Sequence, residues 1–510
     1  MKKKLAILIC LGIVAVTLIS AADNISYTLN LFTNVLRIVQ QRYVEEVNLS
    51  DLVRKAIEGM LYSLDPHSSY LDEDDYRELN VRTQGKFGGL GIQISIRNGW
   101  LTIIAPIEGT PAYRAGLRPG DIITKIEGES TRGITTDKAV KKLRGTPGTK
   151  VTITIAREGM EETDYTIERA IIEIKDVPYW GLLSDDIGYI KLVNFSNGAG
   201  LEVKNALDEL HNRGASKFIL DLTGNPGGLL KEAVEVSDNF IDKGNLIVST
   251  KGRLPEANSE YRARSEAPYG RYPLVVLVDR ASASASEIVA GAIQDWSRGI
   301  IIGDTTFGKG SVQTIVPLGG MEALKLTTAR YYTPSGRCID KSDTLRFLLK
   351  NPTVNIDFST LRAPIRTLHG GGGIVPDICL ESEKIPLAVN KIWRKGGFLS
   401  FAAHYTKLHP DLERGFTLNK EVYDKFRTFL KDEKDLNIDA SEWDSATPFI
   451  ELYLRGAIAE AIWNTKGRYE ESYLVYSPFV KKAKEVLSKT STLEELFAKM
   501  AHEGHGVHQR

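Results

Sequence analysis

Histidine is scarce in this chain: there are eight among 510 residues, and three of them fall within the last nine. A hydrolase that relies on a histidine base therefore has few candidates, and no Gly-x-Ser-x-Gly elbow is present to carry a serine of that kind. A net charge of either sign is also lacking, with 65 Lys and Arg balancing 65 Asp and Glu. That balance argues against nucleic acid as the main partner and gives no general attraction to a membrane surface. No glycine turn is followed by Gly-Lys-Ser/Thr, which disfavours a phosphate-cradling loop. Cysteine is limited to three residues, so a disulfide framework is excluded. Cys10 sits in an apolar leader, and Cys338 and Cys379 read as two separate buried thiols, with a disulfide between them as the alternative that an oxidising compartment permits, since sequence does not set their distance. Repeats and low-complexity tracts are absent, as is an apolar run of the ~20 residues that a spanning helix needs.

One apolar run is present, Leu5 to Ser20, preceded by Lys2-Lys3-Lys4 and ending in the small residues Ser20-Ala21-Ala22. A positive start, a short apolar stretch and small residues at its end make residues 1–22 an export signal, with a retained membrane anchor as the alternative. In both cases the chain beyond Asp23 lies outside the cytoplasmic membrane, in the periplasm or on the membrane's outer face.

Composition shifts then divide the chain. Residues 23–83 read as helical, with Leu29, Phe32, Val35, Leu36, Ile38 and Val39 at helical spacing and a second helix from Ser50 stopping at Asp65-Pro66. Residues 84–170 carry short β-rich runs between glycine turns, with helical stretches near Pro111–Ala115 and Thr135–Leu143, which is a small, mostly-β module. From 171 to 397 strand and helix alternate, an α/β pattern, although residues 338–368 form an insertion of little pattern. Residues 398–510 are again helical and carry no recognisable chemistry.

The chemistry concentrates at Ser282-Ala283-Ser284-Ala285-Ser286-Glu287, just after the uniformly apolar run Leu274–Val278. Ser284-x-x-Glu287 is a capping box, which alone explains a serine here. A serine at a helix start can also be a nucleophile, because first-turn amides favour a developing anion. Twenty-five residues on, Lys309 lies between Gly308 and Gly310. A lysine buried against apolar groups such as Phe307 loses its proton more readily and can serve as the base in place of histidine. Gln313 is four residues further along, on the same face if the segment is a strand. Asp221-Leu222-Thr223-Gly224-Asn225-Pro226-Gly227-Gly228 ends a strand and opens a helix; its turn offers Gly227 or Gly228 as an oxyanion donor, with the Ala285 amide as the second. Phe87-Gly88-Gly89-Leu90-Gly91-Ile92 opens the β module, and amides there can hold a peptide C-terminus that adds as a strand. Three further clusters are set aside. His502, His505 and His508 lie at a fraying terminus, Asp72, Asp74 and Asp75 read as a solvated acidic turn, and His369 with the four glycines after it follows the serine instead of preceding it.

Taken together, these segments resemble the carboxyl-terminal processing proteases, the tail-specific serine peptidases of family S41. The resemblance covers roughly residues 28–380 and includes Leu64-Asp65-Pro66-His67-Ser68, Ala115-Gly116-Leu117-Arg118-Pro119-Gly120-Asp121 and Tyr331-Tyr332-Thr333-Pro334-Ser335-Gly336-Arg337. It implies a multidomain α/β protein: a crotonase-like α/β-spiral core, a PDZ domain at 84–170, and helical ends that serve oligomerisation. It further implies Ser284 as nucleophile, Lys309 as general base, Gln313 as the residue positioning it, and Gly89, Leu90, Gly91 and Ile92 as the binding site for the substrate C-terminus. Protein substrates cut near their C-termini are expected, with no cofactor, metal or nucleic acid, and with an inner-membrane association where the leader is retained. The family pattern has Arg and Asn after the leucine of the glycine turn; this chain has Thr223 and Gly224, which changes side-chain contacts there and spares the backbone donors. A non-catalytic PDZ adaptor on a protease-like scaffold, and a thioester enzyme with a coenzyme A pocket, are the alternatives.

Overall fold

The computed structural model describes residues 25–157, 159–341, 357–361, 367–369 and 372–503. The leader expected at 1–22 lies outside them, as do most of the 338–368 insertion, His505 and His508. Among the described residues no helix is long and apolar enough to cross a membrane.

The described residues form two compact units: 25–77 with 313–327, and those of 78–312 and 328–503. In the smaller unit a helix over residues 25–42 precedes the helix Leu49–Tyr62, which Asn48 caps by accepting from the Ser50 and Asp51 amides. Strand Ser69–Leu71 runs antiparallel to Ala323–Lys325. The Leu-Asp-Pro-His-Ser segment is this unit's clasp. Asp65 Oδ1 accepts from the His67 and Ser68 amides at 2.7 and 2.8 Å and from the Thr327 hydroxyl at 3.2 Å. Burial acts to raise the Asp65 pKa, but these bonds and one from the Ser68 hydroxyl outweigh it and hold the carboxyl below its usual value. The acidic residues after it are no loop: Glu73, Asp74 and Asp75 form the first turn of a helix, Glu73–Gln84, where negative charge suits the exposed amides.

The central sheet of the larger unit has six strands in the order Tyr179–Ser184, Ile187–Lys191, Lys217–Asp221, Leu274–Val278, Ile300–Gly303 and Ile378–Cys379. The first pair is antiparallel and all the others are parallel. The central strand Leu274–Val278 shows why the run is apolar throughout: both its faces are covered. Leu274, Val276 and Val278 join a core with the helices Ala199–Asn212, Leu230–Ser237 and Ala285–Asp295. Val275 and Leu277 point the other way, into a core completed by Val480, Ala483, Val486, Leu487, Leu496 and Phe497. The helical C-terminal region is therefore two things. Residues 388–458 make a bundle with its own core, while residues 469–497 are the second layer of the six-stranded sheet.

The mostly-β module at 84–170 is an antiparallel sheet with Ile92–Arg97 on its edge, next to Trp100–Pro106. Helix Thr136–Leu143 buries Ala139 and Leu143 in the same core as Leu90, Leu101 and Ile153. Strands Lys86–Gly89 and Ala170–Glu173 pair antiparallel where the chain enters and leaves the module.

Candidate active site

Leu274–Val278 delivers the chain to a turn, and the helix Ala285–Asp295 starts at the next residue after Ser284. Every residue of that helix is buried. Ser284 has φ +55° and ψ −111°, a backbone conformation that L-residues rarely hold. Its neighbours account for the geometry. The Ser284 amide donates to Glu287 Oε2 at 2.8 Å, and the Ala283 amide donates to the Asn225 carbonyl at 3.0 Å.

The three serines are not equivalent. The Ser282 hydroxyl is wholly buried and donates to the Leu222 carbonyl at 2.8 Å. The Ser286 hydroxyl, equally buried, donates to the Asn225 carbonyl at 3.0 Å. Ser284 alone of the three reaches a side chain across the site, sharing a hydrogen bond with the Tyr331 phenol. Burial pushes that phenol up to about 12, against the pull of the serine bond, so it stays protonated at neutral pH. The strand carrying Tyr331 is fixed by the segment after it, where the buried Arg337 pairs with Asp295 at the end of the helix Ala285–Asp295.

The glycine turn packs directly on the serine. A Cβ on Gly227 would stand 2.8 Å from both Ser284 Cβ and the Ala285 nitrogen, so only glycine allows this approach, and its φ of +95° asks for glycine independently. The Gly227 amide is already used, donating to Asn225 Oδ1 at 2.9 Å. Of the two glycines proposed as donors, Gly228 is the one whose N–H has no partner among the described residues; the Ala285 N–H is likewise without one. Thr223, where the motif departs from the family pattern, is fully engaged: its hydroxyl, carbonyl and amide all bond to the buried Lys191–Asp221 pair.

Lys309 is half-buried in the loop after Ile300–Gly303. Its amide donates to Glu287 Oε2 at 2.9 Å, the same oxygen that holds the Ser284 amide. Glu287 Oε1 accepts from the Gly308 amide at 2.7 Å and from the Thr306 hydroxyl at 2.6 Å. One fully buried carboxylate thus ties the serine turn to the lysine loop. Burial raises its pKa, while these four donors pull it down. Phe307 is 48% exposed, and the Lys341 ammonium lies 5.6 Å from its ring centroid. Gln313 falls in the smaller unit, on strand Ser311–Gly319, and its amide donates to Thr327 Oγ1 at 3.3 Å. Because that strand begins after Lys309, the shared-face argument linking the two residues does not apply.

In the β module Gly89, Leu90 and Gly91 are buried and Ile92 starts the edge strand. The Gly91 carbonyl takes the Ile107 amide at 2.8 Å and the Thr110 hydroxyl at 3.1 Å, whereas the Leu90 and Gly91 amides have no partner among the described residues. Two unpartnered amides beside a strand edge are the kind of donors that can hold a carboxylate. Among the described residues no cluster of His, Cys, Asp and Glu could hold a metal.

Known proteins carry the same organisation. Residues 186–345 match peptidase family S41, residues 102–157 match the PDZ domain, and residues 18–75 match the activating protease CtpB N-terminal domain. A carboxy-terminal-processing protease of Bartonella bacilliformis is 44% identical over 313 residues, 60% of this chain and 71% of that protein. The chain belongs to this family. The carboxy-terminal processing protease CtpA of Bacillus subtilis is 37% identical over 304 residues, 59% of this chain and 65% of that protein. Among solved structures, the photosystem II D1 C-terminal processing protease aligns with 70% of this chain and 94% of its own, at 26% identity and a TM-score of 0.38. The protein is accordingly an S41 serine peptidase with a PDZ domain, an α/β core and helical ends.

Sequence reasoning passed over three residues of this peptidase. Glu287 was visible as the fourth member of a capping box, but its bonds to Gly308 and Lys309 span more than 20 positions and leave no local trace. Asn225, wholly buried, receives Ala283 and Ser286 on its carbonyl and Gly227 on its side chain. Tyr331 lay inside a quoted motif, without a signal for what it touches.

Proposed function

We propose that this protein is an exported serine endopeptidase that cleaves proteins near their C-termini with a Ser284–Lys309 dyad. Ser284 Oγ attacks the scissile carbonyl while Lys309, in its amine form, takes the hydroxyl proton and passes it to the leaving amine. The Gly228 and Ala285 amides receive the oxyanion. A water then hydrolyses the acyl-enzyme with Lys309 again as base. The core follows the crotonase-like spiral, and the leader at 1–22 places the enzyme in the periplasm or on the outer face of the cytoplasmic membrane. The PDZ domain takes the substrate C-terminus at Gly89–Ile92 and gates the core, and the helical ends assemble subunits.

The observation that carries this reading is the Glu287 carboxylate, which binds the backbone of Ser284 and Lys309 through one oxygen while the Gly228 and Ala285 amides stand unpartnered beside the serine. The test is cleavage of one protein substrate with and without its last few residues. Ser284→Ala and Lys309→Met are expected to abolish turnover, while Ser282→Ala and Ser286→Ala retain it with a stability loss of about 1 kcal/mol for each lost hydrogen bond. Removing the substrate tail should lower the rate for the wild type. Turnover by Ser284→Ala would overturn the dyad; tail binding without any cleavage by the wild type would favour the adaptor.

A further inference from the structure

Behind the glycine turn lies a closed set of charged and hydroxylic groups that the proposed chemistry does not use. Lys191 Nζ donates to Asp221 Oδ1 at 2.8 Å, to the Thr223 carbonyl at 2.6 Å and to Thr223 Oγ1 at 2.7 Å, which accounts for all three ammonium donors. Asp221 Oδ2 receives the Tyr189 hydroxyl at 2.7 Å and the Tyr473 hydroxyl at 2.9 Å. Tyr473 also lies 2.9 Å from Thr223 Oγ1. Burial works to raise the Asp221 pKa, yet Lys191 and the hydroxyls hold it below the usual carboxylate range, while both phenols are pushed far up, chiefly by burial. The carboxylate therefore stays charged and the phenols stay donors across the working pH range.

Four of these five residues come from two neighbouring strands and the turn itself. Tyr473 is the outsider. It belongs to the π-helical turn Tyr469–Tyr473, which follows the long helix of the C-terminal region, and a π-turn is a local departure from α-helix that recurs at functional positions. Its hydroxyl bonds to two groups that fix the start of the turn: Asp221, whose Oδ1 also takes the Thr223 amide at 2.8 Å, and Thr223 itself. From Thr223 the chain reaches Asn225 and Gly228 within five residues.

We infer that Tyr473 is a positioning residue for catalysis: by closing the Lys191–Asp221–Thr223 network, the C-terminal region sets the place of the Gly228 amide relative to Ser284. This rests on the Ser284–Gly228 reading above and adds the C-terminal region to the parts that determine rate. Substrate capture takes place elsewhere, so losing the hydroxyl should slow the chemical step and leave substrate affinity unchanged.

The experiment compares full-length wild type, Tyr473→Phe and Ser284→Ala on the same tailed substrate, with the melting temperature of each and the inhibition constant of a peptide boronate. Phenylalanine keeps the ring and removes only the hydroxyl, and Asp221 retains Tyr189 and Lys191. For Tyr473→Phe we expect kcat to fall by about tenfold or more, as for a small misplacement of a reacting group, with KM within about twofold. Boronate affinity should fall by the same factor as kcat. Unchanged kcat and boronate affinity in Tyr473→Phe, beside a dead Ser284→Ala, would overturn this inference alone. A fall in KM-determined affinity that matches the fall in kcat/KM would also overturn it, by assigning Tyr473 to substrate binding. An active Ser284→Ala would remove the reading beneath it.

Discussion

At the scale of single residues, the turn that carries Ser284, the proposed nucleophile, is held by a buried carboxylate. Glu287 gathers two amides on one oxygen and an amide and a hydroxyl on the other. An amide in its place can satisfy only one such pair, because its NH2 group faces donors. Glu287→Gln should therefore cost about 2–3 kcal/mol in a urea titration, the scale of hydrogen bonds to a charged group, and lower kcat by at least about tenfold with Ser284 and Lys309 intact. A second buried carboxyl makes a pH prediction. Asp176 is pushed up to about 6, chiefly by burial, with the Ser196 hydroxyl pulling it down and Glu202 adding to the rise. A raised folded-state value means that its contribution to stability is complete below about pH 4, where the unfolded chain also holds the proton. That contribution is lost as the pH climbs through 6. The melting temperature of wild type relative to Asp176→Asn should thus fall between pH 4 and 7 and level off above; a difference that stays flat would contradict it. The residue-level site was only half legible in the sequence. The serine, the lysine and the glycine turn announce themselves by local pattern. Glu287, Asn225 and Tyr331 act through contacts 20 to 60 positions away, and pattern cannot display those.

At the scale of elements, legibility followed burial. Leu274–Val278 is apolar at every position because helices cover it on both sides, and the strand has the limits its residues suggest. The alternating strands of the β module were equally plain. The pair Lys86–Gly89 and Ala170–Glu173 was not, since two of the four residues of the first are glycines and both strands lie largely outside a core. Strand Ser311–Gly319 escaped for a related reason: it is mostly exposed, so no apolar periodicity marks it. The helix Pro478–Ser488 was recognisable as a helix, but its partner was not. Leu487, fully buried against the sheet, provides the measurement: Leu487→Ala should lose roughly 2–5 kcal/mol of stability, as for a buried leucine elsewhere. A loss below about 1 kcal/mol would mean that the helix does not cover the sheet in solution.

At the scale of the whole molecule, residues far apart in sequence make the catalytic sheet. Its first strand starts at Tyr179, its last comes at Ile378–Cys379, and its second face is closed by residues 469–497. The boundary expected at residue 397 therefore falls inside a separate helical bundle, whose core begins at Ala388, and is not the end of what the sheet needs. This arrangement orders events in time. Ser284 and Lys309 are made long before Val480, Leu487 and Phe497, so one side of the sheet is left wet until nearly the whole chain has been delivered. A peptidase assembled in that order has no finished core around this sheet until its C-terminal helices have been made.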